Sequence, residues 1–225
     1  MNFLQTYFPN VMEIPDEFIK ATIETLYMSF WSSLIGGILG VFFGVILVVT
    51  RPGGILEQRG TFVLLDQTVN IVRSIPFIIL LSLLVVFTRF IVGTSIGAKA
   101  ALVPLTISVI PFFARQIEIA LLEVDPGVIE AAESMGTSPL GIVFRVYLKE
   151  GLSGIVRVSA LTFINIIGLT TMAGAVGAGG LGSLAITRGH NRYQTDVTIV
   201  AMLIILIFVF ISQAISNLII KKITH

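Results

Sequence analysis

Five long apolar stretches run through the chain, and short polar segments separate them. They lie near residues 22–49, 64–88, 98–119, 154–176 and 197–220. Each stretch is apolar on every side of a helix and reaches the roughly 20 residues that a helix needs to cross a bilayer. A soluble protein built from five such helices would have no polar face left for water. The pattern therefore predicts an all-α, polytopic membrane protein with five transmembrane helices.

The composition supports a membrane protein and excludes several other functions. Hydrophobic residues make up 55% of the 225 residues and charged residues only 12%, about half the charged fraction of a soluble domain. The formal net charge of +1 gives no reason to expect a nucleic-acid partner. The absence of cysteine removes disulfides and thiol chemistry. Neither histidine has a partner at ligand spacing, so no metal site is expected.

The distribution of Lys and Arg predicts an orientation in the membrane. If residues 125–149 are cytoplasmic, eight basic residues lie inside and five outside, as the positive-inside rule favours. The inner ones are Arg51, Arg59, Arg115, Arg145, Lys149, Arg157, Lys221 and Lys222, and the outer ones are Lys20, Arg89, Lys99, Arg188 and Arg192. Residues 1–21 are then an extracytoplasmic tail without the apolar core of a signal peptide, and residues 217–225 are a cytoplasmic end.

The long charged segment between the third and fourth spans, residues 125–149, has the local chemistry of two short helices joined by a glycine. Asp125–Pro126 offers a capping side chain followed by proline at the first helical position. Gly136 stands where a helix end favours a residue that adopts positive φ. Ser138–Pro139 then repeats the cap and the proline. We call this predicted helix–Gly–helix segment the elbow.

The elbow resembles the EAA loop of permeases from ABC-type importers. In that family the loop reads EAA, three residues, Gly, nine residues and Ile-x-Leu-Pro. The matching residues are Glu130, Ala131, Ala132, Gly136, Val146 in the place of isoleucine, and Leu148. Lys149 replaces the family's proline, so a bend after Leu148 does not follow from the resemblance.

The resemblance extends over about residues 22–216, the five-span transmembrane domain of the family. The run RSIPFIILL at 73–81 and the run GAVGAGGLG at 174–182 are most similar to methionine-import permeases. Permeases for phosphonates and quaternary amines have similar glycine runs, so another small solute stays open. The resemblance implies a bacterial plasma-membrane protein that pairs with a second copy of itself, two ATP-hydrolysing subunits and a separate extracytoplasmic substrate-binding protein.

The chain carries no signature of an ATPase or of another enzyme. It has no GxxxxGK[ST] phosphate loop and no nucleophile–base constellation, so no catalytic residue and no bound cofactor are predicted. ATP would be used by the partner subunit, and the elbow would be the contact with that subunit. The family implies that Glu130, Ala131, Ala132, Gly136 and Leu148 serve this coupling, with the alanines permitting close approach.

A few polar residues within the spans are candidates for the translocation path. Arg73 and Ser74 lie in the second span, and an arginine in hydrocarbon must reach an interface, pair with a partner or line a polar path. Asn165, Thr170 and Met172 give the fourth span its few functional groups. We predict that these five residues line the path, with snorkelling to an interface or pairing inside the bundle as the alternatives for the arginine.

Two local features shape the predicted helices. Gly36, Gly40 and Gly44 form two overlapping GxxxG steps in the first span, and small residues at that spacing let helix backbones approach closely in lipid. Pro76 removes one helical hydrogen bond from the second span and marks a bend there.

Two competing functions are weaker. An ATP-independent secondary transporter usually has a carboxylate near the middle of a span or a repeated half, and the predicted spans show neither. Residues 177–182 match the dinucleotide-binding pattern GxGxxG. That pattern needs a preceding strand and a βαβ unit, whereas an apolar span precedes it here, so the glycine run is predicted to be a tightly packed turn.

Overall fold

The structure is a computed structural model that describes residues 7–223, and these residues form helices and connections without a strand. The helices are α1 (Pro9–Glu13), α2 (Pro15–Thr50), α3 (Arg59–Ser74), α4 (Phe77–Leu83), α5 (Val85–Val92), α6 (Ala98–Leu122), α7 (Pro126–Ser134), α8 (Pro139–Ile142), α9 (Leu148–Glu150), α10 (Leu152–Ala175), α11 (Gly180–Leu184) and α12 (Thr195–Ile223). Two π-helical segments, Val143–Tyr147 and Ala185–His190, follow α8 and α11. The predicted all-α fold is confirmed.

Within residues 7–223, four helices, α2, α6, α10 and α12, are long and apolar enough to cross a membrane, and the pair α3 and α4 makes a fifth if counted as one span. The first of them begins at Pro15 rather than near residue 22, because proline suits the first helical turn and two acidic residues there favour the positive helix end. The last continues to Ile223. The predicted N-terminal tail and C-terminal end therefore contain helix, while residues 1–6 and 224–225 of them lie outside the described residues.

The second predicted span is broken rather than bent. Helix α3 ends at Ser74, α4 begins at Phe77, and the two helices meet at an angle of 100°. Ile75 between them is extended, with φ −78° and ψ 121°. A residue before proline is driven out of the helical region because the proline ring collides with it, so Pro76 ends one helix and starts the next.

The described chain forms two compact units. The first holds the described residues up to Leu34, together with Pro76–Ile107 and Phe163–Ser212. The second holds Ile35–Ile75, Ser108–Thr162 and the described residues from Gln213. Each of the long helices α2, α6, α10 and α12 contributes residues to both units.

In the first unit, the glycine run at 174–182 forms a turn between α10 and α11 that is tied to α2. Glu24 Oε2 accepts a hydrogen bond from the Gly180 N–H at 2.8 Å, and Thr25 Oγ1 accepts one from the Leu181 N–H at 2.8 Å. Two apolar clusters surround this turn; their buried members are Phe18, Ala21, Leu181, Leu184, Val197 and Ala201 in one, and Met28, Phe77, Ala101, Leu105, Ala173 and Ala178 in the other. The run packs as a turn between helices, and no strand precedes it among the described residues.

In the second unit, the glycines of α2 lie directly against α6. The facing pairs are Gly36 with Val109, Gly40 with Phe113, and Gly44 with Ile117. A Cβ atom placed on these glycines would lie 2.6 Å, 2.8 Å and 2.7 Å from those side chains, closer than atoms can pack. In lipid there is no hydrophobic force between helices, so close backbone packing of this kind supplies the attraction.

We predict that Gly44→Ala destabilises the protein. Its Cβ would lie 2.7 Å from Ile117 Cβ and 2.8 Å from the backbone oxygen of Ala114, and overpacking of this kind costs about 1–3 kcal/mol. Gly37→Ala is the matched control on the same helix, because its Cβ would lie 3.9 Å from Phe113 Cε1. Thermal unfolding in detergent should separate the two variants. Equal unfolding temperatures would contradict the packing described here.

Candidate functional site

The first arm of the elbow begins with the expected cap. Asp125 Oδ1 accepts a hydrogen bond from the Gly127 N–H at 2.7 Å, and Pro126 occupies the first turn of α7. The carboxylate thus satisfies one of the backbone donors that the start of every helix leaves free, and its charge favours the positive helix end. Both features follow from the sequence and are confirmed.

The first arm ends at Gly136, which adopts φ 75°. The Gly136 N–H donates to the Glu133 carbonyl at 2.9 Å, and the Thr137 N–H donates to the Ala132 carbonyl at 3.1 Å. These two bonds form a Schellman motif, which satisfies the last carbonyls of a helix and needs a left-handed residue. The predicted glycine reversal is confirmed.

The second arm starts with a second cap and is longer than α8 alone. Ser138 Oγ accepts a hydrogen bond from the Gly141 N–H at 3.2 Å. The chain then passes from α8 through the π-helical Val143–Tyr147 into α9, so it stays helical to Glu150. Lys149 lies within α9, and the chain does not break directly after Leu148. A proline at 149 would lack the N–H that a helical residue donates.

One face of the elbow is buried in the second unit. Ala132 is 5% exposed on the first arm, and the second arm buries Ile142, Val143, Val146 and Tyr147. Of the two alanines predicted to permit close approach of a partner, Ala132 is buried and Ala131 is exposed, and their role in coupling stays a prediction. The difference in exposure is due to helical geometry, since consecutive residues point about 100° apart around the axis.

A set of exposed apolar residues on the elbow stands among exposed charged ones such as Glu130, Glu133 and Arg145. Its residues, which we call the elbow surface, are Val128, Ala131, Met135, Leu140 and Phe144. The exposed fractions of its large side chains are 44% for Val128, 78% for Met135, 68% for Leu140 and 67% for Phe144. Val128 and Ala131 on α7 and Met135, which directly follows it, are three and four positions apart and share one face. A cluster of exposed large apolar side chains marks a surface for protein or membrane contact.

A groove lies beside α7 on the same side as the carboxylates of Glu130 and Glu133, and Arg51 and Tyr147 also line it. Burial raises the pKa of the Tyr147 hydroxyl; the positive charge of Arg51 acts in the opposite direction, and the negative charge of Glu133 adds to the increase. Of the remaining residues predicted for coupling, Gly136 is exposed and Leu148 is half-buried.

The path residues of the second predicted span are exposed at the end of α3. Arg73 lies in the last turn, where a positive charge favours the negative helix end, and it forms no ion pair within residues 7–223. Ser74 is exposed and its hydroxyl donates to the Asn70 carbonyl at 2.8 Å. Pairing within the bundle therefore does not account for Arg73 in this structure.

The path residues of the fourth span lie on α10, in the first unit, whereas Arg73 and Ser74 belong to the second. Asn165 is half-buried and Met172 is 42% exposed. Thr170 is 2% exposed and donates to the Ile167 carbonyl of its own helix at 2.8 Å. The assignment of these five residues to a path stays a prediction.

Sequence reasoning missed a charged cluster between α3 and α6. Arg115 donates to Glu118 Oε2 and to Asp66 Oδ1, both at 2.5 Å. Asn70 Oδ1 accepts from Arg115 at 3.0 Å, and Asn70 Nδ2 donates to Asp66 Oδ2 at 3.2 Å. We call these four side chains the Arg115 clamp. The i,i+3 spacing favours the pair Arg115 and Glu118, whereas no local pattern links Arg115 to Asp66, which lies 49 positions away.

Comparison with known proteins gives concordant matches. A family model described as "Binding-protein-dependent transport system inner membrane component" matches residues 36–225. A methionine import system permease protein, MetP of Bacillus subtilis, is 46% identical over 215 residues, which are 96% of each chain. A probable D-methionine transport system permease protein, MetI of Pasteurella multocida, is 44% identical over 205 residues, 91% of this chain and 94% of the relative. A solved structure of the MetNI methionine ABC transporter in an inward-facing conformation matches with a TM-score of 0.91 and 40% identity over 100% of both chains.

We predict that Gly136→Val strains the elbow and that Gly136→Asn does not. A β-branched residue at φ 75° costs about 1–2 kcal/mol, whereas asparagine adopts this conformation readily. Nothing lies within 4 Å of a Cβ atom at this position, so a difference between the variants reports on backbone conformation and not on a clash. Limited proteolysis between residues 134 and 140 should be faster in the valine variant. Equal rates for the two variants would rule out the reversal at Gly136.

Proposed function

The chain belongs to the family of binding-protein-dependent transport system inner membrane components, and from this premise we propose that it is the permease subunit of an ATP-driven methionine importer. The proposal of methionine, in its D or L form, draws on the relatives named above and on the similarity over nearly the whole chain. The chain itself is a transport permease subunit without a catalytic centre. The ATP would be hydrolysed by two partner subunits.

The elbow is the observation that carries the proposed mechanism. Its inner face is packed against the second unit, its reversal is held by backbone hydrogen bonds, and its outer face presents the apolar elbow surface. A segment that is packed against the helices on one side and exposes large apolar side chains suits a contact with another protein. We assign the elbow surface to the contact with the ATPase subunit.

The elbow is joined directly to two long helices, so a movement of the elbow would be passed to both of them. Helix α6 ends at Leu122, three residues before Asp125, and Gly151 alone separates α9 from α10. Movement of the elbows when two ATPase subunits close on ATP would therefore act on α6 and α10 at once. ATP binding would shift the population of a bundle that has an inward-facing and an outward-facing state.

The remaining parts of the assembly follow from the same proposal. A second copy of the chain would complete the translocation path, and an extracytoplasmic binding protein would deliver the substrate. The elbow would lie on the cytoplasmic side, with the N-terminus outside and the C-terminus inside. The candidates for the path stay Arg73 and Ser74 on α3 and Asn165, Thr170 and Met172 on α10; four have an exposed or half-buried side chain, and Thr170 is buried.

We predict that Ala131→Arg prevents assembly with the ATPase subunit. Ala131 is exposed in the middle of the elbow surface on α7, and an arginine there would keep a partner backbone from approaching and would bring an unpaired charge into the contact. Co-purification of the two subunits in detergent measures the effect. Arg192→Glu, an exposed charge reversal in another loop, is the control and should leave co-purification unchanged. Normal assembly of the Ala131→Arg complex would refute the assignment of the elbow surface.

The substrate has a separate test. ATP hydrolysis by the reconstituted complex, with its binding protein, should increase when methionine is supplied, and it should not increase with a phosphonate or a quaternary amine. Stimulation by a phosphonate or a quaternary amine, and not by methionine, would show that the substrate is a different one, while the assignment as a permease would stand. Uptake by this chain alone, without ATP, would instead support a secondary transporter.

A further inference from the structure

Stability alone does not explain the Arg115 clamp. Its charged side chains are largely withdrawn from solvent, with exposed fractions of 17% for Arg115, 29% for Asp66 and 8% for Glu118. Removing charges from water costs free energy, and apolar residues often replace partly buried ion pairs without loss of stability. An apolar cluster that includes Val69 of α3 and Ala114 of α6 already joins the same helices. We therefore expect the clamp to fix the orientation of α3 against α6 more than to hold the two helices together.

The geometry of the clamp suits a fixed orientation. The guanidinium group of Arg115 bonds to Glu118 through Nη1 and to Asp66 through Nη2, so it reaches its own helix and α3 at once. Because the planar guanidinium group is bonded through two of its nitrogens, the bonds fix its orientation as well as its distance from the carboxylates. A single point charge, such as a lysine ammonium, would fix only the distance. Asn70, one turn along α3 from Asp66, bonds to both partners and prevents the carboxylate from turning away.

The clamp lies between the elbow and the path candidates of α3. Helix α6 runs from Arg115 towards Asp125, where the elbow begins, and Leu121 and Val124 on this route are buried. On the other side, α3 continues from Asp66 to Arg73 and Ser74. Within the second unit, the clamp is a polar connection between α3 and α6, the helix that leads into the elbow.

A further charge extends the cluster towards the elbow. Arg51 acts electrostatically on Glu118 and also lines the groove that holds Glu130 and Glu133 of the elbow. Its Nε atom is buried and has no hydrogen-bond partner within the described part of the chain.

We propose that Arg115, Asp66 and Glu118 are positioning residues that transmit the movement of the elbow to α3, so that ATP hydrolysis and substrate translocation stay coupled. This inference rests on the proposed function, because it needs an ATPase partner at the elbow. No residue of the clamp belongs to the elbow surface, so its loss should uncouple the two activities without abolishing ATP hydrolysis.

The test measures methionine uptake per ATP hydrolysed, using the full complex with its ATPase subunits and binding protein in liposomes. Arg115→Gln should keep assembly and ATP hydrolysis while the ratio falls about fivefold, the size of effect found for residues that carry coupling. Arg115→Lys should recover part of the ratio, because it keeps the charge and loses the fork. Asp66→Asn removes one ion pair and keeps the shape, which provides a second measurement if the glutamine variant does not fold.

Arg188→Gln is the matched control. Arg188 also pairs with a carboxylate on another helix, Glu17, but in the first unit, and its variant should keep the wild-type ratio. An unchanged ratio in Arg115→Gln and Asp66→Asn would overturn the inference. A parallel loss of assembly, hydrolysis and uptake in both variants would also overturn it, because the clamp would then only support the fold. Absence of ATP-dependent uptake in the wild-type complex would instead contradict the proposed function.

Discussion

The structure depends most on the requirement that helix ends have their backbone groups satisfied. Every helix leaves donors free at its start and acceptors free at its end. The elbow has to end one helix and begin another within a few residues. Asp125 and Ser138 satisfy donors at two helix starts, and the reversal at Gly136 satisfies acceptors at the end between them.

This local solution makes the elbow mechanically useful. Because the reversal is held by the backbone, the angle between its arms does not depend on a partner. The buried Ile142, Val143, Val146 and Tyr147 fix the second arm to the second unit, and the elbow surface is left free. Glycine packing between α2 and α6 supplies close contact, while the Arg115 clamp gives α3 a defined orientation against α6. The packing of α2 on α6, the orientation of α3 and the proposed contact with a partner thus depend on different residues.

Local signals made the helices and the elbow predictable. A cap followed by proline, and a glycine at a helix end, act within three or four residues, so Asp125, Gly136 and Ser138 could be assigned from sequence. The long apolar spans were also predictable, because their length and composition can be read directly from the sequence. The burial of Ala132 beside the exposed Ala131 follows from the rotation of α7, whose starting direction depends on tertiary packing.

Other features depend on contacts that one sequence does not reveal. A proline in an apolar run permits either a bend or a complete break, and the choice at Pro76 depends on the helices around it. The pairing of Arg115 with Asp66 joins residues 49 positions apart, and no local sequence pattern indicates it. The π-helical segment in the second arm has no known signature of its own either. For these reasons the elbow was foreseen and the clamp was not.

The central claim is that energy enters this membrane protein from outside the chain, through the elbow, on the cytoplasmic side. Because the chain contains no cysteine, a single cysteine at Leu140 can report accessibility to a membrane-impermeant thiol reagent. The account predicts labelling in inside-out vesicles, none in intact cells, and protection when the ATPase subunit is bound. Labelling of intact cells, or equal labelling with and without the ATPase subunit, would contradict it.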